Sequence, residues 1–398
     1  MPPRPARTAL VLSAGGVRGA YQVGVIAGII DILGRDDGAP LFDTFTGSSI
    51  GAINVAYLAA NADRGDHAID DLVNIWSELD FDDILEFTLL GIWGWPRIRM
   101  PGTHDPGRAS RYVGRSLLDP RRVEDLLTRV IAWDRFHANI HSSRVRAVML
   151  AALDICDGTT TLFTELAAGV SFRPYPYLTT RSLFTEIEAE HVLAATALPF
   201  MFPARRIDER YYMDGAIGLE TPIIPALRAG ARRVVVISLL DQSSERGERR
   251  RLVFPGVLFM TGQLLKAVLL DPLRHEIDRL HRNNRMVEVL AGTLDPRETA
   301  EVIADIEREV PPGRVVPVLE FQPSRSIELI VAEFMRDELR RRGPVRRAIL
   351  RRLANYEAGQ TLLSSFLYFD GRLAARLIEL GRQDAHAARD RILGFFEA

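Results

Sequence analysis

Gly47-Ser48-Ser49-Ile50-Gly51 fits the pattern G-x-S-x-G. In that pattern a serine between a strand and a helix sits on a strained turn that projects its hydroxyl oxygen, and the flanking glycines leave room where bulkier residues would collide. The helix after it offers its positive dipole end to developing negative charge. The chemistry this permits is nucleophilic attack by Ser49; an ordinary strand-helix turn would share the pentapeptide. A second glycine turn, Ala14-Gly15-Gly16-Val17-Arg18-Gly19, has the same setting. Its glycines let backbone N–H groups point into a concavity. The spacing is not G-x-G-x-x-G and no Gly-Lys-Ser/Thr comes after it, which argues against phosphate loops of those kinds. Two readings remain: an oxyanion hole in which Arg18 adds positive charge, or a plain tight turn.

A serine hydroxyl needs a base. The histidines, at 67, 104, 137, 141, 191, 275, 281 and 386, fall mostly in polar helical or loop stretches, and none follows a strand in a convincing turn. Asp214 is better placed. It ends an apparent hairpin strand, Arg210-Tyr211-Tyr212-Met213, and Gly215-Ala216 come directly after it. A lone carboxylate is a weak base at neutral pH unless its surroundings raise its pKa.

These residues need elements to hold them. Thr8–Ser13 reads as a buried strand and Val17–Leu33 as the helix after the first glycine turn. Leu41–Thr46 reads as the strand entering the Ser49 turn, and Ala52–Ala60 as the helix leaving it. Helices are expected over His67–Leu79, Arg122–Ile131 and Glu186–Ala197. Strands are expected over Arg144–Leu153, Thr159–Phe163, the hairpin Arg205–Met213, and Val234–Leu239. Strands alternate with helices up to about residue 240, which argues for an α/β layered domain. After Arg251 the chain reads as mainly helical, with strands only at Met286–Leu290 and Val315–Phe321. Asp241–Arg251 is the linker candidate.

Three segments resemble those of the patatin-like phospholipases. LVLSAGGVRGAYQVGVI is similar to their glycine-rich oxyanion motif, FTGSSIGAINVAYLA to their nucleophile elbow, and ALPFMFPARRIDERYYMDGA with TPIIPALRAGARRVVVIS to their catalytic aspartate region. Order and spacing agree over roughly residues 8–240. The C-terminal part, including RLHRNNRM and LLSSFLYFDGRLAARLIELGR, is more loosely similar to bacterial members. The resemblance implies a layered α/β fold, with a mostly parallel sheet flanked by helices over 8–240 and a mainly helical region over 252–398. It implies a Ser-Asp dyad with Ser49 as nucleophile and Asp214 as base, oxyanion donors at Gly15 and Gly16 with Arg18 alongside, and no cofactor. The family more often has a third glycine where Ala14 stands, and a second glycine where Ala216 stands. The activity implied is lipid acyl hydrolysis. Its rivals are transacylation, a Ser-His-Asp hydrolase using a late histidine such as His275, and a catalytically silent membrane-binding protein.

Composition is consistent with such an enzyme. The 398 residues are 47% hydrophobic and 26% charged, a globular balance that excludes a disordered chain. A net charge of −2 gives no global attraction to nucleic acid. Cys156 is the single cysteine, so no intramolecular disulfide forms, and Lys266 is the single lysine. No His/Cys/carboxylate cluster has metal-ligand spacing. No signal peptide is evident, so a cytoplasmic location is expected. Leu252–Leu270 approaches transmembrane length, but Pro255, Gly256, Gly262, Gln263 and Lys266 interrupt it, and a buried or interfacial helix is expected ahead of a membrane hairpin or a true span. Phe87–Met100 reads as a lid with Trp93 and Trp95 dipping into lipid, or as a loop folded on the core. Arg336–Leu353 is basic and apolar by turns; it suits contact with an anionic membrane, or a solvated helix face.

Overall fold

The computed structural model describes residues 7–34, 40–65, 67–79, 112–113, 121–172, 180–199, 201–218, 223–240, 260, 263–264, 267, 271–309, 312–341, 365–366 and 368–397. Among them, a ten-stranded sheet forms the frame. Its parallel half runs β10 (Val318–Phe321), β9 (Arg233–Ile237), β1 (Thr8–Leu12), β2 (Thr44–Gly47), β4 (Ala147–Asp154). β1, β2 and most of β4 and β9 are buried along their whole length. Apolar runs without alternation are what a parallel strand covered on both faces requires.

β4 joins the two halves of the sheet. Its first residues pair with β2, Thr44 opposite Ala147. Its last residues pair antiparallel with β8 (Arg210–Asp214), which continues to β7 (Ala204–Ile207) and the short β3 (Tyr112–Val113). Its other edge carries β5 (Thr160–Leu166) and then β6 (Thr180–Phe184). The fold is therefore a mixed, mostly parallel layered sheet in the α/β class.

Helices cover both faces. α1 (Gly19–Leu33) is almost wholly buried. By length and composition the stretch Gly16–Leu33 would cross a membrane, but 78% of it is buried inside the fold, so it is a core helix here. α2 (Ile50–Ala60) and α3 (His67–Glu78) come next. α4 (Arg121–Val130), α5 (Trp133–His141), α6 (Ala189–Ala195) and α7 (Ile223–Arg228) complete this part. The C-terminal region supplies α8 (Asp271–Thr293), α9 (Pro296–Glu309), α10 (Ile327–Arg341), α11 (Gly371–Ala387) and α12 (Arg389–Glu397).

This region is built into the frame. β10 extends the sheet beside β9, and α11 lies along α1. The α1–α11 approach is backbone to backbone: a Cβ on Gly24 would overlap the Ile378 carbonyl, and one on Gly381 the Tyr21 carbonyl. Tyr21 also donates a 2.9 Å hydrogen bond to Asp384.

One expected strand is absent. Met286–Leu290 lies inside α8. Leu273, Ile277, Leu280 and Val287 are buried on that helix at helical spacing, while Met286 and Val289 are exposed. A stripe with 3.6-residue periodicity over 23 residues overrides a local β-favouring run. The structure also contains α5 and β6, which sequence patterning did not bring out. The expected lid at Phe87–Met100, the linker 241–251, residues 342–353 of the basic stretch, and all of 252–270 except positions 260, 263, 264 and 267 lie outside the described residues.

Candidate active site

β2 ends at Gly47 and α2 begins at Ile50, so Ser49 occupies the turn between them. Its backbone sits at φ 52°, ψ −129°, a conformation that a residue with a Cβ rarely adopts. Four hydrogen bonds hold it there. Ser49 N donates to Ala195 O at 3.1 Å, Ser48 N to Leu12 O at 3.3 Å, and Gly51 N and Ala52 N to Ser48 O and Ser49 O at 2.9 Å. A Cβ on Gly51 would overlap the Leu12 carbonyl, so the strand and the helix can meet this closely only with glycine at that position.

Asp214 is the last residue of β8, opposite Ala152 of β4, and is fully buried. Its N–H donates to Ala197 O at 3.0 Å. The three residues Ala195–Ala197, at the end of α6, thus fix the backbones of both Ser49 and Asp214. One carboxylate oxygen, Oδ1, accepts the Ala216 N–H at 3.0 Å. The other, Oδ2, is buried and has no hydrogen-bond partner. The Ser49 hydroxyl approaches closely enough to favour the ionised carboxylate, yet no hydrogen bond to Oδ2 is closed. Catalytic hydrogen bonds are often long before substrate binds. Burial raises the Asp214 pKa to about 6; the Ser49 hydroxyl and the Ala216 amide pull the other way, and no cation contributes.

The first glycine turn lies alongside. Gly16 opens a short 3-10 turn, Gly16–Arg18, at φ 58°. Amides at the start of a helical turn have no acceptor within it. Gly16 and Ile50 each begin such a turn, and both line the same cavity as Ser49. Gly15 is buried just behind, against Leu239. Sequence reasoning did not single out Ile50. The cue was the elbow itself, which puts the amide after the serine at a helix start.

Arg18 goes elsewhere. It is 1% exposed and is not among the residues lining the cavity. Its Nε and Nη2 donate to Ser365 Oγ at 3.1 and 2.5 Å, its Nη1 to Leu239 O at 3.4 Å, and its Nη2 to Glu328 at 3.4 Å. The guanidinium lies 4.6 Å from the Phe366 ring centroid.

A cavity opens beside Ser49; about 1180 Å³ of empty space lies in and in front of it, open solvent included. Its walls are almost entirely apolar. Ile53, Leu72, Trp76, Leu127, Leu193, Phe366 and Phe369 are among the residues lining it. α4 turns Val123, Leu126, Leu127 and Val130 inward, while Arg121, Arg122 and Arg129 are exposed. Arg205, 2% exposed on β7, ties α4 and α6 to the rim through Glu124 at 2.5 Å and Glu190 at 2.9 Å. A buried polar chain lies under the glycine turn. Trp76 Nε1 donates to Asn54 at 3.1 Å, Asn54 to Gln22 at 3.0 Å, and Gln22 to Ser13 O at 2.8 Å. Gln22 and Asn54 are buried polar residues in two largely apolar helices, and that was a signal in the sequence. Among the described residues no histidine lines the cavity, and His275 is exposed on α8. Among the described residues no group of His, Cys, Asp and Glu is arranged to hold a metal.

A strained serine beside a buried carboxylate, with two residues that begin helical turns lining the same apolar space, is equipped for acyl chemistry on an apolar substrate. Comparison with known proteins agrees at the family level. The family model for patatin-like phospholipase matches residues 10–227. No curated protein sequence matches the chain. Similar solved structures include VipD from Legionella pneumophila, at 12% identity and a TM-score of 0.37, with 97% of this chain and 67% of that chain covered. More than half of the chain falls within the family match, and the protein belongs to the patatin-like phospholipase family of lipid hydrolases.

Proposed function

We propose that the protein hydrolyses carboxylic esters of lipids, with Ser49 as nucleophile and Asp214 as its general base. The observation that carries this reading is the facing pair itself: a hydroxyl held on a strained turn and a buried carboxylate oxygen with no other partner. In the first half-reaction Ser49 Oγ attacks the acyl carbon and its proton passes to Asp214 Oδ2. The carbonyl oxygen becomes an oxyanion, stabilised by the amides of the Gly15-Gly16 turn and of Ile50. Collapse expels the alcohol, which takes the proton from Asp214. Water then gives its proton to Asp214 and attacks the acyl-serine; the fatty acid leaves and Ser49 recovers its proton.

Two features support a lipid substrate. The cavity beside Ser49 is lined almost entirely by apolar side chains, which suits an acyl chain. The outer face of α4 presents arginines over that cavity, which suits peripheral contact with an anionic lipid surface. The exposed position of His275 lends no support to a histidine triad.

Labelling with a fluorophosphonate probe, followed by mass mapping, tests the reading. The modified residue should be Ser49, and Ser49→Ala should abolish labelling and turnover at near-wild-type melting temperature. Labelling that survives in that variant overturns the assignment. Sedimentation with vesicles of phosphatidylcholine, with and without phosphatidylserine, tests the surface contact: binding should rise with the anionic lipid and fall with salt. Equal binding to both vesicles removes it.

A further inference from the structure

The cavity beside Ser49 has a wall from far along the chain. Phe366 and Phe369 line it, although both lie well beyond residue 227, where the family match ends. The same stretch touches the glycine turn. A Cβ on Gly16 would overlap the Phe366 carbonyl, so the two backbones are in direct contact. Arg18, at the end of the same turn, holds Ser365 through two donors and lies against the Phe366 ring. Phe369 stacks on Trp76 at 6.2 Å between centroids, and Gly371 N donates to Leu79 O at 2.7 Å. The segment is thus fastened at both ends, by Arg18 on one side and by the end of α3 on the other.

We propose that Ser365, Phe366 and Phe369 are working parts of the acyl site, that Phe366 and Phe369 form the wall limiting the length of the acyl chain, and that Arg18 is the positioning residue that seats this wall on the glycine turn. This rests on the hydrolase reading above and adds a specificity determinant to it. Two physical arguments carry it. An aromatic ring closing an apolar cavity caps the chain length that fits, and each methylene beyond the cap loses its burial, about tenfold or less in affinity apiece. A guanidinium can place a wall where an ammonium cannot: its fixed fork meets Ser365 with two donors while its flat face stacks on Phe366. The charge of Arg18 is consequently spent on Ser365, Glu328 and the Leu239 carbonyl, outside the cavity.

The experiment measures kcat/KM on p-nitrophenyl esters of four, eight and twelve carbons for the full-length protein and its variants. Fluorophosphonate labelling in parallel counts the active serines. Failure of wild-type labelling at Ser49 would sink the hydrolase reading, and it is read separately from the chain-length ratio. Phe369→Ala should raise the twelve-carbon to four-carbon ratio at least about tenfold, and Phe369→Trp should lower it. Ser365→Ala, a small change that removes only the hydroxyl accepting from Arg18, should move the ratio in the same direction as Phe369→Ala. Arg18→Met keeps a long, unbranched chain and should shift it further; Arg18→Lys should not rescue. The Arg18→Met/Ser365→Ala double variant should fall short of additivity, since both changes release one wall. A residue that merely aids folding would lower the melting temperature and the fraction labelled, leaving the ratio of the labelled enzyme where it was. If Phe369→Ala and Ser365→Ala both label normally and keep the wild-type ratio, the proposal is overturned. It is equally overturned if Arg18→Met abolishes turnover on every ester while Ser365→Ala is silent, because Arg18 would then serve the oxyanion directly. If Arg18→Met does not fold, Ser365→Ala and the Phe369 pair decide the matter alone.

Discussion

Two carboxylates end up buried within one short region of the sheet, and their surroundings differ in kind. Asp154 closes β4 and Asp214 closes β8; the strands pair, with Asp154 opposite Tyr212 and Ala152 opposite Asp214. Both side chains are fully excluded from solvent. Around Asp154 the charge is answered. Arg181 reaches it at 3.0 Å, Arg210 pairs with it through Nε, and the Cys156 amide donates at 2.9 Å. Around Asp214 no described cation contributes, and one oxygen closes no hydrogen bond, with only the Ser49 hydroxyl near. A buried charge that is paired ties strands together. A buried carboxylate that is left half satisfied is costly, and its place beside a strained serine is what the proposed role of Asp214 as base calls for.

The sharpest way to break this comparison is to make the same substitution at both places. Asp214→Asn preserves shape and removes the base, so turnover should fall by about 10²-fold or more, as for loss of general-base catalysis. Asp154→Asn should leave turnover per labelled serine within a few-fold. Steady-state kinetics on a soluble short-chain ester checks both. If the two variants lose activity alike, the two aspartates do not differ in role.

The second effect is on stability, and it runs the other way. Removing the Asp154 charge leaves Arg181 and Arg210 facing a neutral amide. Breaking a buried pair costs several kcal/mol, but both arginines are more than a third exposed, so the loss should be nearer ~2 kcal/mol. Urea denaturation of Asp154→Asn at pH 7 measures it. A change within experimental error would mean the arginines are satisfied by water and by Asp157.

The contrast was only half visible in the sequence. Asp214 was legible because the cues are local: a hairpin strand, then an aspartate, then a glycine. The Ser49 elbow and the Gly15-Gly16 turn were legible for the same reason, since each constrains a few consecutive backbone angles. Asp154 was not legible as a paired charge, because its partners come from β6 and β8, 27 and 56 residues away. Distance hid more at the other end of the molecule. Nothing local in Arg18 tells that its guanidinium meets Ser365, 347 residues on, and is spent there. Patterning gave the alternating α/β frame well where strands are uniformly apolar. It misplaced Met286–Leu290 because five β-favouring residues look the same in a strand and on a long helix whose burial stripe is set by α8 packing beneath β9 and β10. β6 was missed because most of its residues are only partly buried, and it alternates too weakly to stand out.

The third prediction is the acid limb. To act as the proposed base Asp214 must be ionised, and burial raises its pKa in the folded protein to about 6. The value of kcat/KM should therefore be flat above about pH 7 and fall tenfold per pH unit below about 6. An acid limb displaced to near 4, the ordinary carboxylate range, would show that burial does not hold Asp214 as described.

The smallest effect is the most diagnostic of the contrast, and it concerns stability as a function of pH. In the unfolded chain Asp214 ionises near 3.8, and in the folded protein near 6. The folded state therefore prefers the protonated form. Between those two values the native protein keeps a proton that the unfolded chain has released, so stability falls as pH rises through the window, and the whole penalty is present above about 6. The shift corresponds to on the order of 3 kcal/mol. Asp214→Asn removes the charge but buries an amide whose N–H groups find no acceptor waiting at Oδ2, which takes back part of the gain. The net expectation is that Asp214→Asn is more stable than wild type by about 1 kcal/mol at pH 8, and that this advantage has gone by pH 4, where the folded wild-type carboxyl is itself neutral. Other titrating groups, Asp43 among them, are common to both proteins and cancel in the difference. Paired chemical denaturation curves at the two pH values measure it. Asp154→Asn, by contrast, should be the less stable partner at both. Should Asp214→Asn prove destabilising at pH 8, the carboxylate must be held by a partner that balances its burial, and the two aspartates would be alike after all.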